Sequence, residues 1–193
     1  QKIHSPALTL VFEAGGISPM ASMLPLSVAD SRTTYRAISC ASMPEAMEMM
    51  QKGLVTYAFL GGAQIDKYGN LNSTQIGSDH QNPKVRLPGS GGANELGSLA
   101  WKTIVIMNHS RKRFVEKVDY ITTPGYLNGP GCREEAGLPP GTGPYLVFSE
   151  LGVFDFEETS KRMRLRSLLP GIQLNQVIAE TGFDLIIPDS IPI

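Results

Sequence analysis

Glycine placement constrains this chain more than any other feature. The glycines fall in short clusters: Ala14-Gly15-Gly16, Gly61-Gly62-Ala63, Pro88-Gly89-Ser90-Gly91-Gly92-Ala93, Gly129-Pro130-Gly131 and Pro139-Pro140-Gly141-Thr142-Gly143. Several of them follow directly on an apolar run, as Gly61 follows Val55-Thr56-Tyr57-Ala58-Phe59-Leu60. Glycine is needed where backbone turns at positive φ or closes on a ligand. Repeated corners of strand followed by glycine predict an α/β sheet with its site at the strand ends.

The 193 residues suffice for one domain with a substantial core, and no linker or internal repeat divides them. A net charge of -1 gives no broad electrostatic reason to bind nucleic acid or an anionic membrane. The basic clusters Arg111-Lys112-Arg113 and Lys161-Arg162-Met163-Arg164 read as solvated faces. Cys40 and Cys132 stand far apart, without the spacing of a disulfide framework or a zinc site. Free thiols suit a reducing compartment. No segment approaches the roughly 20 apolar residues of a membrane span, and no signal-type segment opens the chain. A cytoplasmic protein is therefore expected. His4, His80 and His109 share no metal-ligand spacing, and GxSxG, CxxC and HExxH are all absent.

Periodicity and punctuation outline the elements. Ala7–Phe12 reads as a buried strand. Ser42 and Glu45 have capping-box spacing and open a helix that Gly53 stops. Met43, Met47 and Met50 follow the spacing of its core face. Val55–Leu60 and Thr103–Met107 read as buried strands, with a short helix from Ala93 to Leu99 between them. Phe114–Val118 and Tyr120–Thr122 look like strand material. Residues 125–143 form a long Gly/Pro loop of the sort that is usually functional or mobile. Strands follow at Tyr145–Phe148, Val153–Phe156 and Met163–Leu168. A helix spans Asn175–Thr181, and an extended tail runs to Ile193. A chain that begins so soon on a core strand is expected to lack a flanking β-α segment, or to have a partner chain over that strand.

Three places can carry chemistry. Glu13 stands at the end of the first strand, before small residues that leave room for a substrate. There a carboxylate can serve as nucleophile or general base, or simply be a solvated strand-end glutamate. In Gly89-Ser90-Gly91-Gly92-Ala93-Asn94, successive glycines free backbone N–H groups to point one way, as an anion nest or oxyanion hole. A tight corner before a helix is the alternative. The stretch from Gly61 to Thr74 is dense in amides and hydroxyls. Gln64, Asn70 and Asn72 can hold a thioester or carboxylate by neutral hydrogen bonds, or build Asx turns.

In their order and spacing these elements resemble a family. Leu10-Val11-Phe12-Glu13-Ala14-Gly15 resembles the strand-glutamate-glycine element of family I coenzyme A-transferase β subunits. Gly61-Gly62-Ala63-Gln64-Ile65-Asp66 and Tyr68-Gly69-Asn70-Leu71-Asn72-Ser73-Thr74 are similar to the following block of the glutaconate CoA-transferase β branch. So are Pro83-Lys84-Val85-Arg86, Gly89-Ser90-Gly91-Gly92-Ala93-Asn94, Lys112-Arg113-Phe114, Val118-Asp119-Tyr120 and Thr123-Pro124-Gly125. The resemblance covers about Leu8 to Leu185. It implies an open, mostly parallel sheet with flanking helices, in one domain over residues 1–193 that lacks the first β-α unit of the branch. It also implies an α-subunit partner in an α2β2 or larger assembly. Coenzyme A enters as substrate and covalent intermediate, and no cofactor is bound permanently. Glu13 is implied as nucleophile, with the amides of Gly91 and Gly92 stabilising the oxyanion. Gln64, Asn70, Asn72, Ser90, Ala93 and Asn94 are implied as substrate or CoA contacts. Relatives of similar sequence include ring-cleaving hydrolases and glutaconyl-type decarboxylases, in which the position matching Glu13 is generally altered. Those chemistries, and a non-catalytic supporting subunit, are the alternatives.

Overall fold

The computed structural model describes residues 4–192, so the final residue of the expected tail, Ile193, lies outside the described residues. The chain divides into two compact units, one ending at Leu54 and the other beginning at Val55.

In the first unit the expected buried strand Ala7–Phe12 does not form. Only Val11 bridges, antiparallel to Ile17, and Leu8 is 55% exposed. Strand preference is a preference for packed neighbours. Here the run meets only a two-residue return, β1 (Gly16–Ile17), which pairs antiparallel with β2 (Ser39–Cys40). Helix α1 (Met43–Gln51) begins as its sequence predicts. The Ser42 hydroxyl accepts from the Glu45 amide at 3.4 Å, and the Glu45 carboxylate accepts from the Ser42 amide at 2.6 Å. Gly53 ends the helix at φ +72. The apolar stripe is centred on Ala46 and Met50, both 4% exposed, whereas Met43 is 51% exposed. Met43 is the first residue of the first turn, at the unpacked end of that stripe.

The second unit runs β3 (Tyr57–Leu60), β4 (Gln64–Asp66), β5 (Leu71–Asn72), β6 (Gln75–Ile76), β7 (Val85–Arg86), α2 (Ala93–Leu99), β8 (Lys102–Ile106) and β9 (Phe114–Val115). It continues through α3 (Cys132–Glu135), β10 (Pro144–Phe148), β11 (Gly152–Phe156), β12 (Met163–Leu168) and α4 (Leu174–Glu180). Its main sheet has the order β12-β11-β10-β8-β3. Strands β3, β8 and β10 are mutually parallel, and β10, β11 and β12 are antiparallel. The switch follows from connection length: only three residues join β10 to β11, which allows a hairpin and no crossover. A smaller sheet, β5-β4-β9, and the hairpin β6-β7 stand beside it. The architecture is α/β, as expected. Tyr120–Thr122 forms no strand; only the adjacent Thr123 bridges, to Leu71. Among the described residues no helix is long and apolar enough to cross a membrane.

Ile65, Phe114, Val147, Phe154, Met163, Leu165 and Val177 form the centre of the core, each 0% exposed. His109 joins them, 6% exposed, with its ring 3.7 Å from that of Phe114 and nearly parallel to it. Its ring nitrogens face two hydroxyls, Nδ1 with Ser149 Oγ and Nε2 with Thr181 Oγ1, both at 3.1 Å. Thr181 Oγ1 already donates to the Val177 carbonyl. It therefore accepts from Nε2–H, while Nδ1 faces the Ser149 hydroxyl, which also lies 3.4 Å from the Gly152 carbonyl. Burial pulls the imidazole down from 6.5 to about 4, against the pull of Glu150 and Glu180.

A histidine buried neutral binds its proton more readily in the unfolded chain, so its contribution is complete above pH 6.5 and is lost as pH falls towards 4. The stability advantage of the native protein over His109→Phe should shrink on the order of 2 kcal/mol between pH 7 and pH 4 in urea unfolding. An advantage that stays constant over that range would show that the ring is not held neutral. In the first unit, an added Cβ at Gly15, where φ is +102, would stand 1.7 Å from the Ala41 carbonyl oxygen. Gly15→Ala should cost on the order of 2 kcal/mol; an unchanged unfolding midpoint would contradict so close a contact.

Candidate active site

Glu13 sits in a turn, not at the end of a strand. The Gly15 amide donates to the Phe12 carbonyl at 2.8 Å, and the Phe12 amide donates to that of Gly16 at 2.9 Å. This four-residue turn, Phe12 to Gly15, closes the Val11–Ile17 bridge and puts Glu13 at the first of its two central positions. Glu13 is half-buried. The turn needs its glycines. Gly15 lies against Ala41, and a Cβ at Gly16 would fall 1.8 Å from the Thr33 carbonyl oxygen. Backbone from two other segments thus packs against the base of the turn and fixes its tip. The Glu13 side chain is thereby carried on a fixed backbone. A shallow cleft of about 390 Å³ in the same unit is lined by Leu8, Pro19, Met20 and Ile38, and Glu13 is not part of its wall.

In the second unit, the amide side chains singled out from the sequence are 6% (Gln64), 1% (Asn70) and 0% (Asn72) exposed. Their capacity is used inside the protein. Asn70 Nδ2 donates to Asp66 Oδ2 at 2.9 Å and to the Leu127 carbonyl at 2.8 Å. Its Oδ1 accepts from the amides of Gly125 and Leu127, at 2.8 and 3.1 Å. Asn72 Nδ2 donates to Gln64 Oε1 at 2.7 Å and to the Gln75 carbonyl at 2.6 Å, while Asn72 Oδ1 accepts from the Thr74 amide at 3.0 Å. Gln64 in turn meets Asp119 through side chain and backbone, at 3.2 and 3.1 Å. In this structure the side chains of Gln64, Asn70 and Asn72 build turns and loops. A buried amide keeps its internal partners because leaving them unpaired is costly.

The glycine loop is partly solvent-facing. Ser90 and Gly91 are exposed, Gly92 is buried, Ala93 is half-buried and Asn94 is exposed. Gly89 and Gly91 take positive φ, +101 and +47, and Gly92 caps α2 at φ -87. The Ala93 amide donates to the Ser90 carbonyl at 2.9 Å, closing the turn. Ser90 Oγ donates to the Gly91 carbonyl at 3.0 Å, and Asn94 Oδ1 accepts from Ser98 Oγ at 3.1 Å. Ser73 ties this loop to the Gln/Asn block. Its hydroxyl donates to the Gly89 carbonyl at 2.8 Å, and its carbonyl accepts from the Gly89 amide at 2.9 Å.

Several further side chains, none named as a site residue from the sequence, are buried or paired around these segments. Asp66 is 3% exposed, and burial pushes its carboxyl up; the bonds from Asn70 and the Tyr68 amide pull it back down. Thr122 accepts from the Ser73 amide at 2.9 Å and shares a 2.7 Å hydrogen bond with Thr74 Oγ1. Arg133 lies fully buried on α3, the short helix that interrupts the expected Gly/Pro loop of residues 125–143, beside a cavity of about 150 Å³ that Tyr126, Thr142 and Lys161 also line. Its own neighbours in sequence gave the one available signal, a cation inside a glycine- and proline-rich segment. His80 stacks on Tyr120, with ring centres 5.5 Å apart, and its Nδ1 lies 2.7 Å from Gln75 Oε1. Among the described residues no group of three or more His, Cys, Asp or Glu could hold a metal ion.

The coenzyme A transferase family model matches residues 4–180. The β subunit of glutaconate CoA-transferase from Acidaminococcus fermentans is 40% identical over 192 residues, which cover 96% of this chain and 71% of that protein. The β subunit of 3-oxoadipate CoA-transferase from Pseudomonas knackmussii is 38% identical over 180 residues, covering 93% and 68%. The crystal structure of glutaconate coenzyme A-transferase from Acidaminococcus fermentans superposes with a TM-score of 0.91 at 37% identity, over all of this chain and 76% of that one. Family, relatives and fold agree: the chain belongs to the coenzyme A transferase family, in the branch of the glutaconate CoA-transferase β subunit.

Proposed function

We propose that this chain is the β-type subunit of a CoA-transferase and that the Glu13 carboxylate is its nucleophile. The observation that carries the reading is the rigid turn that holds a half-buried glutamate at its tip, within the segment matched by transferase subunits. The two relatives at 38 and 40% identity are both β subunits of CoA-transferases, which supports an α-type partner for this chain in an α2β2 or larger assembly. Their acyl groups, glutaconate and 3-oxoadipate, support a dicarboxylic or short-chain substrate.

The reaction proceeds by acyl exchange. A Glu13 oxygen attacks the thioester carbonyl of the acyl-CoA and expels the CoA thiolate, leaving a mixed anhydride. The thiolate then attacks the glutamyl carbonyl, releasing the first carboxylate and leaving CoA on Glu13 as a thioester. The acceptor carboxylate repeats the sequence in reverse and leaves with CoA. Each tetrahedral step develops negative charge on oxygen, which backbone N–H groups stabilise without reorganising. The loop carrying Gly91 and Gly92 is proposed for that task, with Ser90, Ala93 and Asn94 along the bound ester. Coenzyme A is substrate and transient covalent partner, and the chemistry requires no resident cofactor. The two roles rest on different units, each on the local geometry of its own. The cytoplasm, where acyl-CoA is made and used, is the proposed compartment.

Peptide mass spectrometry of the assembled complex, incubated with glutaconyl-CoA and no acceptor, should find CoA attached at Glu13. Glu13→Gln should lower CoA exchange by more than about 10³-fold while assembly with the α-type subunit is retained. Full exchange activity in that variant would exclude Glu13 as nucleophile. Free acid formed without an acceptor, or loss of CO₂, would favour thioester hydrolysis or decarboxylation. Activity and assembly lost together would favour a supporting subunit.

A further inference from the structure

Arg133 carries a charge, yet it is 2% exposed and makes no ion pair with a carboxylate among the described residues. Its partners are carbonyls and one hydroxyl, drawn from three segments. Nη1 donates to the carbonyls of Pro124 and Gly125, at 3.0 and 2.8 Å. Nη2 donates to the Gly97 carbonyl at 3.1 Å and to Thr142 Oγ1 at 2.8 Å, with the Ser98 carbonyl at 3.4 Å. Gly97 and Ser98 belong to the last turn of α2. There a helix leaves its carbonyls unpaired and favours a cation.

Helix α2 is seven residues long, too short to hold its own conformation in water. Its order depends on anchors. Ser73 holds Gly89 just before it, at 2.8 and 2.9 Å. In its last turn, Gly97 lies so near Thr123 that a Cβ would fall 2.1 Å from Thr123 Cγ2. The polar anchor of that same turn is Arg133. With only two turns between, release of the last turn frees the first, and with it the corner made by Gly91 and Gly92.

We propose that Arg133 is a positioning residue for the Gly89–Gly92 loop: its guanidinium ties the end of α2 to Pro124 and Gly125 and so fixes the direction of the loop amides. The catalytic significance of this rests on the loop's proposed role; the positioning itself does not. Lysine cannot replace it. The planar guanidinium reaches Pro124 and Gly125 with one nitrogen and Gly97 and Thr142 with the other, whereas an ammonium is a single point of donation.

The test compares amide hydrogen exchange in the full chain, native and Arg133→Lys, with Thr142→Val as the milder variant that keeps the arginine. Positioning requires exchange over residues 89–99 to quicken about tenfold in Arg133→Lys and two- to threefold in Thr142→Val, while residues 144–168 stay within twofold. Equal acceleration of both segments would make Arg133 a general packing residue and overturn the inference, as would unchanged exchange over 89–99. In the assembled complex, Arg133→Lys should lower kcat for CoA exchange about tenfold with KM for the acyl-CoA within twofold. Selective exchange with kcat unchanged would leave the positioning standing and count against the loop's catalytic role.

Discussion

The buried amide of Asn70 is the contact on which the second unit's arrangement depends. It is 1% exposed, and its oxygen and nitrogen together meet Asp66, Gly125 and Leu127. Those bonds join the turn after β4 to the start of the long Gly/Pro loop, more than fifty residues away in sequence. The two backbones touch where they meet, and a Cβ on Gly125 would lie 2.3 Å from the Gly69 carbonyl carbon. No side chain fits between them, so the hydrogen bonds must hold the contact. Satisfied in full, such a network specifies one arrangement; with a member missing, it leaves buried polar groups unpaired.

The remaining polar contacts extend outward from that junction. Asn72 and Gln64 connect it to Asp119. Thr122 connects it to Ser73 and Thr74, and Ser73 reaches Gly89. Arg133 completes the circuit from Gly125 back to α2. Few of these groups face solvent. They give the exposed glycine loop a rigid base. The first unit applies the same device on a smaller scale: the turn bearing Glu13 is fixed because Gly15 and Gly16 admit neighbouring carbonyls where any Cβ would collide.

The amides are where the sequence is most ambiguous. Gln64, Asn70 and Asn72 read equally well as ligand contacts or as turn builders, because a side-chain amide offers the same donors and acceptors in either role. Only burial separates the two, and burial is a property of the folded chain. Ala7–Phe12 diverged for a related reason. Its composition favours a strand, but a strand is defined by its neighbours, and within its unit the segment meets a single bridge. The Ser42–Glu45 cap, by contrast, was legible in full, since both partners lie within one turn of each other. His109 and Arg133 gave almost no signal, because their partners are distant in sequence.

From its order of residues alone this chain determined an α/β architecture, the corners that must be glycine, the helix caps and the family to which its motifs belong. Each is a local property, set by φ preference, by spacing of a few residues, or by a contiguous motif. Tertiary structure alone decided that the amide block is internal, that His109 is held neutral against Phe114, and that a buried arginine binds the last turn of α2. Each of those depends on which distant groups exclude water from a given atom, a quantity that exists only after the chain has closed.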